Sequence, residues 1–415
     1  FSITFSATDG TNAVTAASAF TLAFAYDWTT TTQQQKIQAS DAEAYDAFGQ
    51  AADIEGDTVV VTAYAEDTEA HGAGAAYIFT RSGTTWSQQQ KIQASDAQAS
   101  DYFGSRSSID GDTVVVGAYA EDAGGSNAGA AYVFTRSGTT WSQQAKLTAS
   151  DAAADDNFGW DTGIDGDTVV VGAQREAAGG TDAGAAYIFT RSGTTWSQQA
   201  KLQASDKAAN DRFGWSVAIS GDTVVVGAYY EDTGGSNAGA AYVFTRSGTT
   251  WSQQQKIQSS DKAANDQFGS AVAIEDNTII VGAHVEGGTG AAYVFTRSGT
   301  TWSQQQKIVA SDAQATDYFG NSVAIDSDTV IVGAWAEDTG STNAGAAYIF
   351  TRSGTTWSQQ QKLVAPSAAA DDYFGNSVAI DTDTVVVGAY KKDIGVTNAF
   401  PQGVTDAGAA YVFVS

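Results

Sequence analysis

The chain has 415 residues, no cysteine and no methionine, and its 47 acidic and 20 basic residues give a formal net charge of −27. Without cysteine, disulfides, thiolate metal sites and a cysteine nucleophile are excluded. The acidic excess argues against binding to nucleic acid or to an anionic membrane surface. No apolar run reaches the ~18 residues of a membrane span. Because no Met precedes Phe1, we expect that a signal peptide was removed and that the protein is extracellular or at the cell surface.

Residues 1–28 contain two segments with the alternation of a β-strand that has one apolar face. The apolar positions that we predict to contact another subunit are Phe1, Ile3, Phe5, Phe20, Leu22 and Phe24. A two-stranded ribbon is marginal alone, so this face needs a partner. Three partners remain open: the rest of the chain, a neighbouring subunit, or a lost preceding domain. In the second case, strand addition would join subunits head to tail into a filament.

From residue 29 to residue 415 one unit recurs, and a Phe-Gly pair marks each copy. Successive pairs are 55 residues apart, except for one interval of 51. The pairs begin at Phe48, Phe103, Phe158, Phe213, Phe268, Phe319 and Phe374. A period of this size with four strand-like runs predicts an all-β fold, a β-propeller with seven four-stranded blades.

The second unit shows the pattern of one blade. Its first strand, about 104–109, ends at an Asp-Gly hairpin turn. The second strand, 113–118, is a β-branched run typical of a strand buried on both faces. The third strand, 130–136, and the fourth, 139–147, are joined by a Ser-Gly turn. Trp141 in the fourth strand recurs in other units, and we expect it in the core.

The last unit lacks a fourth strand, and a sequence that matches this strand is found near the start of the chain. Residues 29–37 read TTTTQQQKI, which matches TTWSQQQKI at residues 84–92. The N-terminal strand is therefore predicted to complete the last blade. This closure would remove the open sheet edges that favour aggregation.

The Phe-Gly pairs are accompanied by a second motif, a Gly-Ala pair after the β-branched run. It occurs at Gly117, Gly172, Gly227, Gly282, Gly333 and Gly388, each followed by Ala. With these motifs, residues 31–415 resemble the FG-GAP repeat proteins, the propeller family that includes the integrin α-subunit head. The sequence of the repeats is similar to that of the bacterial secreted branch of the family. The resemblance implies a propeller, and an adhesive or ligand-binding role is one function that such propellers have.

Several members of that family hold Ca²⁺ in an Asp-x-Asp-x-Asp-Gly loop, a string that no unit has here. Instead, an Asp pair such as Asp96 and Asp101 recurs before Phe-Gly, and an acidic pair such as Glu121 and Asp122 follows the second strand. One pair supplies fewer oxygens than the six to eight that Ca²⁺ takes. We expect these side chains to bond local backbone, with no cofactor. A Ca²⁺ site stays open as the alternative.

Specific recognition is expected where the copies differ. The fifth unit shortens the loop after its second strand to residues 285–289, and the seventh lengthens the same loop to residues 391–408. Within the longer loop, Lys391, Lys392 and Phe400 are our candidates for contact with a glycan or protein ligand.

Catalysis is not expected. The two histidines, His71 and His284, stand at unrelated positions of the repeat and predict no catalytic triad. The acidic pairs are copied around the ring, whereas a catalytic pair needs one distinct environment. Two functions remain: an extracellular structural subunit of a filament, joined through its N-terminal strands, or a monomeric secreted propeller that binds a ligand.

Overall fold

A computed structural model describes residues 26–395 and 403–415. Within these residues the chain forms seven antiparallel sheets of four strands each, which are the seven blades of a propeller. The innermost strands of successive blades contact one another around a central channel. The all-β, seven-bladed fold predicted from the repeat is confirmed.

The blades follow one another along the chain, and each begins with its innermost strand. Blade 1 contains β2 Phe48–Glu55, β3 Thr58–Ala63, β4 Ala75–Ser82 and β5 Thr85–Ile92. Blade 2 contains β6 Phe103–Asp110, β7 Thr113–Ala118, β8 Ala130–Ser137 and β9 Thr140–Leu147. Blade 3 contains β10 Phe158–Asp165, β11 Thr168–Ala173, β12 Ala185–Ser192 and β13 Thr195–Leu202. Blade 4 contains β14 Ser216–Ser220, β15 Thr223–Ala228, β16 Ala240–Ser247 and β17 Thr250–Ile257.

Blade 5 contains β18 Phe268–Glu275, β19 Thr278–Ala283, β20 Ala291–Ser298 and β21 Thr301–Ile308. Blade 6 contains β22 Val323–Asp326, β23 Thr329–Ala334, β24 Ala346–Ser353 and β25 Thr356–Leu363. Blade 7 contains β26 Phe374–Asp381, β27 Thr384–Ala389, β28 Ala409–Val414 and, from the N-terminal side, β1 Thr32–Ile37. Two short 3-10 turns, Trp28–Thr30 and Glu286–Gly288, lie outside the sheets. No helix in the described residues is long and apolar enough to cross a membrane.

The glycines of the repeat allow neighbouring blades to converge. Gly129 of blade 2 has a φ of 86° and forms a parallel bridge with Phe158 of blade 3. A Cβ on Gly129 would lie 1.9 Å from the carbonyl oxygen of Phe158. Glycine is therefore required here both for its backbone conformation and for the close approach.

The core lies between blades. In the cluster between blades 1 and 2, Ile78 and Ile92 pack with Phe103, Val114 and Trp141. Trp141 is only 2% exposed, and burial of one such indole contributes about 4–6 kcal/mol at ~25 cal/mol per Å². The expectation that the repeated tryptophan lies in the core is confirmed for this residue.

Arginines also join neighbouring blades on the side of the hairpin turns. The guanidinium of Arg136 lies 5.3 Å from the centre of the Trp141 ring and pairs with Asp112. It also donates to Thr58 of the preceding blade over 3.1 Å. The same bond to a threonine of the preceding blade is made by Arg81, Arg191, Arg246, Arg297 and Arg352.

The N-terminal strand closes the ring as predicted. Strand β1 pairs antiparallel with β28, with Thr32 opposite Val414 and Ile37 opposite Ala410. Trp28, the last residue that the sequence assigned to the extension, also packs into the propeller and is 1% exposed. Its indole N–H donates to Thr329 over 3.2 Å. Trp28 thus donates to the threonine of blade 6, as an arginine does to each of the other six threonines.

The two faces of the propeller differ in what they carry. The hairpin face carries the short turns between the first and second and between the third and fourth strands of each blade. The FG face carries the loops between the second and third strands and the connections from one blade to the next. All Phe-Gly pairs and all sequence differences in loop length lie on the FG face.

Candidate functional site

Aromatic residues gather on the FG face at three positions of the repeat. These positions directly precede the Phe-Gly pair, directly follow it, or directly follow the second strand. We call the residues that fill them, with the adjacent Tyr230, the aromatic belt. Its members are Tyr64, Tyr102, Tyr119, Trp160, Trp215, Tyr229, Tyr230, His284, Tyr318, Trp335, Tyr373 and Tyr390.

The belt has two arms, each a continuous series of ring contacts. The first arm runs from Tyr64 in blade 1 to Tyr230 in blade 4, and successive ring centroids are 3.8–5.8 Å apart. The second arm runs from His284 in blade 5 to Tyr390 in blade 7, with spacings of 4.8–5.9 Å. Such edge and offset contacts fix the rings relative to one another.

Most belt rings are half-buried, so the belt is neither core nor freely mobile surface. Trp215 illustrates this arrangement, because its indole N–H donates to the carbonyl of Ser270 in the next blade over 3.1 Å while its side chain borders the central channel. The belt therefore forms a preorganised apolar surface on the FG face, and Trp215 places part of it beside the central channel.

The central channel encloses about 430 Å³ and is lined by the innermost strands of all seven blades. Its charged residues are Asp53, Glu55, Arg106 and Asp161. Asp53 accepts backbone N–H groups from Ile54 and from Ile109 in the next blade, each over 2.9 Å. Burial raises the pKa of Asp53 to about 7. Burial also raises the pKa of Asp161 to about 6, although nearby Arg106 opposes this shift.

Beneath the FG face, a lysine, two carboxylates and a tyrosine form a repeated cluster. In blade 2, Lys146 pairs with Asp96 over 2.6 Å and with Glu121 over 2.9 Å. The hydroxyl of Tyr132 donates to Asp96 over 2.9 Å. Burial opposes ionisation of Asp96, but its hydrogen bonds from Lys146 and Tyr132 hold its pKa below the ordinary value. This cluster joins the end of the fourth strand to two FG-face loops.

The inner aspartate of each connection has a local role. Asp101 is buried and accepts the backbone N–H of Gln98 over 2.8 Å. Burial raises the pKa of Asp101 to about 6, against the effect of that hydrogen bond. In residues 26–395 and 403–415 no three His, Asp or Glu side chains are grouped so that they could hold a metal ion.

Blade 5 interrupts the belt. Its loop after the second strand is short, and Gln267 replaces the aromatic residue that precedes the Phe-Gly pair in blades 2, 6 and 7. The His284 imidazole has an Nδ1 without a hydrogen-bond partner among the described residues. Burial lowers the pKa of His284 to about 4, so the ring is neutral near pH 7.

The two predicted lysine contacts occupy different environments. The ammonium group of Lys391 lies 4.7 Å from the centre of the Tyr373 ring and 5.9 Å from that of Tyr390, at the end of the second belt arm. Lys392 is buried and pairs with Asp372 over 2.8 Å. Its ammonium group is thus engaged within blade 7.

The remaining predicted contact residues lie outside the described residues. They are Phe1, Ile3, Phe5, Phe20, Leu22, Phe24 and Phe400. Their roles in subunit or ligand contact stay predictions.

The sequence-based reasoning did not identify the belt, although the sequence contains a signal for it. The residue that follows the Ala ending each second strand is aromatic in six of seven units, at Tyr64, Tyr119, Tyr229, His284, Trp335 and Tyr390. An alignment of the seven units on their Phe-Gly pairs shows that this position is mostly aromatic. That these rings touch those of neighbouring blades follows only from the closure of the propeller.

Seven blades around a channel, with aromatic residues on one face, define a repeat-built β-propeller with a differentiated FG face. The FG-GAP repeat profile matches seven segments, residues 31–79, 86–134, 141–189, 196–244, 251–295, 302–350 and 357–413. The chain therefore belongs to the FG-GAP repeat family, as the motifs indicated. Each segment begins at or next to the fourth strand of one blade and ends in the third strand of the next. No curated protein matches the sequence.

Proposed function

We propose that this protein is a non-enzymatic binding module whose FG face holds an extended, neutral ligand, a glycan chain, across the aromatic belt. The observation that carries the proposal is the pair of continuous ring arms on one face. Half-buried Trp and Tyr rings offer apolar surface and polar edges together, which suits the C–H faces and hydroxyls of sugar rings. The net charge of −27 disfavours a polyanionic ligand.

Immobilised neutral oligosaccharides of several linkage types provide the test, with tryptophan fluorescence to measure affinity. Trp160→Ala and Trp335→Ala each interrupt one arm, and we expect each to weaken binding at least tenfold. Tyr45→Ala is the matched control, because Tyr45 is 65% exposed and lies outside the belt. Retention of no oligosaccharide, or equal retention by the belt variants, would contradict the proposal.

A second candidate function is that of a filament subunit joined through residues 1–25. The alternating apolar residues of this segment support it, because an unpaired ribbon with an apolar face favours strand addition to a neighbour. Such a head-to-tail contact would generate an open filament if it did not close.

Electron microscopy of the full chain and of a chain that begins at residue 26 tests the filament. This truncation retains Trp28, which packs into the propeller. Filaments from the full chain and single rings from the truncation are expected. Single rings from both chains would exclude assembly through this segment, and Phe1→Asp with Phe5→Asp provides a full-length comparison.

An extracellular or cell-surface location is part of the proposal. FG-GAP repeats are typical of extracellular proteins. A chain without cysteine is also insensitive to the change in redox conditions on export. Fractionation of the source cells, with detection of the protein in the medium or at the surface, checks this location.

A further inference from the structure

The lysine cluster beneath the FG face is altered in blade 7. In the other six blades a lysine at the end of the fourth strand pairs with an aspartate of the connection that leads into the same blade. In blades 2–6 the tyrosine of the third strand donates to the same aspartate over 2.9–3.0 Å. One carboxylate thus stands between an ammonium group and a phenol.

Blade 7 keeps the lysine and the tyrosine but loses the carboxylate. Lys36 and Tyr411 occupy the two retained positions, and Lys36 Nζ lies 5.9 Å from the centre of the Tyr411 ring, close to the 5.4–5.6 Å of the other blades. At the aspartate position stands Ser367, which is exposed. Tyr411 is 1% exposed, and its hydroxyl makes no hydrogen bond of normal geometry among the described residues, although the Ser367 side chain lies near it. The Tyr77 hydroxyl of blade 1 also lacks such a bond, so blade 7 differs from blade 1 in the missing carboxylate and not in the hydroxyl.

The charge of the cluster is also inverted. Lys392 replaces the glutamate that pairs with the lysine in the other blades, for example Glu121 in blade 2. Lys392 donates to Asp372 over 2.8 Å and to the carbonyl of Ser367 over 2.6 Å. Within the described residues, Asp372 pairs with Lys392 and Lys36 makes no ion pair, so the cluster has two ammonium groups and one carboxylate. Burial and the nearby Lys392 lower the pKa of Lys36.

We propose that blade 7 binds a carboxylate between Lys36 Nζ and the Tyr411 hydroxyl, in the place that an aspartate fills in the other six blades. The bound group receives a charge-assisted hydrogen bond from the lysine and a hydrogen bond from the phenol. It also balances the second ammonium group of the cluster. Because Ser367 is exposed, this place opens to solvent, and Lys392 lies beside it.

The carboxylate could belong to a sugar acid or to the C-terminus of a peptide, and both offer the same chemistry. Nitrogen-15 NMR of the lysine ammonium groups follows titration with acetate, glucuronate, and an acetylated tripeptide with a free C-terminus. The amide of the same tripeptide and sodium chloride at equal ionic strength are the controls. We expect the Lys36 signal to shift with the carboxylates alone, and the tighter of glucuronate and the tripeptide identifies the source.

Two substitutions and one control substitution test the position of the site. Ser367→Asp restores the residue of the other blades and should abolish binding, whereas Ser95→Asp adds the same charge beside blade 2 and should leave it unchanged. Tyr411→Phe removes only a hydroxyl that makes no hydrogen bond of normal geometry and should weaken binding about tenfold. Equal shifts with chloride and acetate, or unchanged binding by Ser367→Asp, would overturn the proposal. Neither result depends on the aromatic belt, so failure of one proposal leaves the other standing.

Discussion

Single residues distinguish otherwise identical junctions between blades. The side-chain amide of Gln90 in blade 1 accepts the backbone N–H of Trp141 in blade 2 and donates to its carbonyl, both over 2.8 Å. Gln35, Gln255 and Gln306 repeat these two bonds at three other junctions. In blades 2 and 3 an alanine stands at this position, and the facing Trp196 and Trp251 are partly exposed. The missing amide therefore leaves two junctions less tightly joined.

Ala145→Gln is expected to stabilise the propeller. The new amide can bond the backbone of Trp196 as Gln90 bonds that of Trp141, and two hydrogen bonds less the lost side-chain entropy contribute about 0.5–1.5 kcal/mol to the free energy of unfolding. Chemical denaturation measures the change. Ala99→Gln at an exposed position is the control and should change little; equal effects of both would contradict this explanation.

The channel carboxyl of Asp53 is expected to make stability depend on pH. Its pKa is raised to about 7 in the folded chain by burial, from a usual value near ~3.9. The folded state therefore binds the extra proton, and the associated stability is fully present below pH ~4 and is lost as the pH rises through about 7. Asp53→Asn removes the ionisable carboxyl, so we expect the variant to keep its stability as the pH rises through about 7.

Melting temperatures between pH 5 and pH 8 measure the effect. The melting temperature of Asp53→Asn should rise relative to that of the native chain as the pH rises. For Glu69→Gln, at an exposed position, the difference in melting temperature from the native chain should stay constant. A constant difference for Asp53→Asn as well would show that its ionisation does not affect folding.

At the scale of the element, blade 7 is assembled from both ends of the described chain. Strand β1 supplies its outer strand, and Trp28 supplies an indole in the cluster with Leu363 and Phe413. The position that aligns with the repeated tryptophan is Thr31 in this blade, so the indole comes from a residue three positions earlier. The turn Trp28–Thr30, capped by Asp27, places it there.

Trp28→Ala is expected to lower the free energy of unfolding by about 3–5 kcal/mol, because it removes a buried indole and leaves a cavity. Tyr26→Ala is the control, since Tyr26 is 46% exposed and should contribute less than ~1 kcal/mol. Differential scanning calorimetry measures both. A small effect of Trp28→Ala would mean that the N-terminal turn does not hold blade 7 in place.

At the scale of the whole molecule, stability depends on a closed ring. Every blade packs its core against the next blade, as the clusters that combine residues of two blades show. The pairing of β1 with β28 joins the ends of this series by hydrogen bonds between strands. An open ring would expose an unpaired edge at β28, and such edges favour association.

Removal of residues 1–37 is therefore expected to abolish the single cooperative unfolding transition and to produce aggregates. Removal of residues 1–25 should leave single closed rings that form no filaments and have the thermal stability of the full chain. Light scattering after size exclusion, together with calorimetry, distinguishes the two results. Full stability without β1 would contradict closure by this strand.

The sequence alone determined the architecture, because the fold follows from local patterns that recur. The seven Phe-Gly pairs, the β-branched runs and the glycine turns indicated the blades, and the match between residues 29–37 and 84–92 indicated the closing strand. The tertiary structure decided the candidate sites, because residues such as Trp160 and Trp215 are 55 positions apart in the chain but only 4.8 Å apart between ring centroids. It also showed that Lys392 is buried in blade 7 and pairs with Asp372. Ser367 and Lys392 replace the aspartate and the glutamate of the cluster, and because they lie in two different loops, only the folded structure brings the two changes together. Contacts between blades arise from ring closure, and a pattern read within one repeat does not contain them.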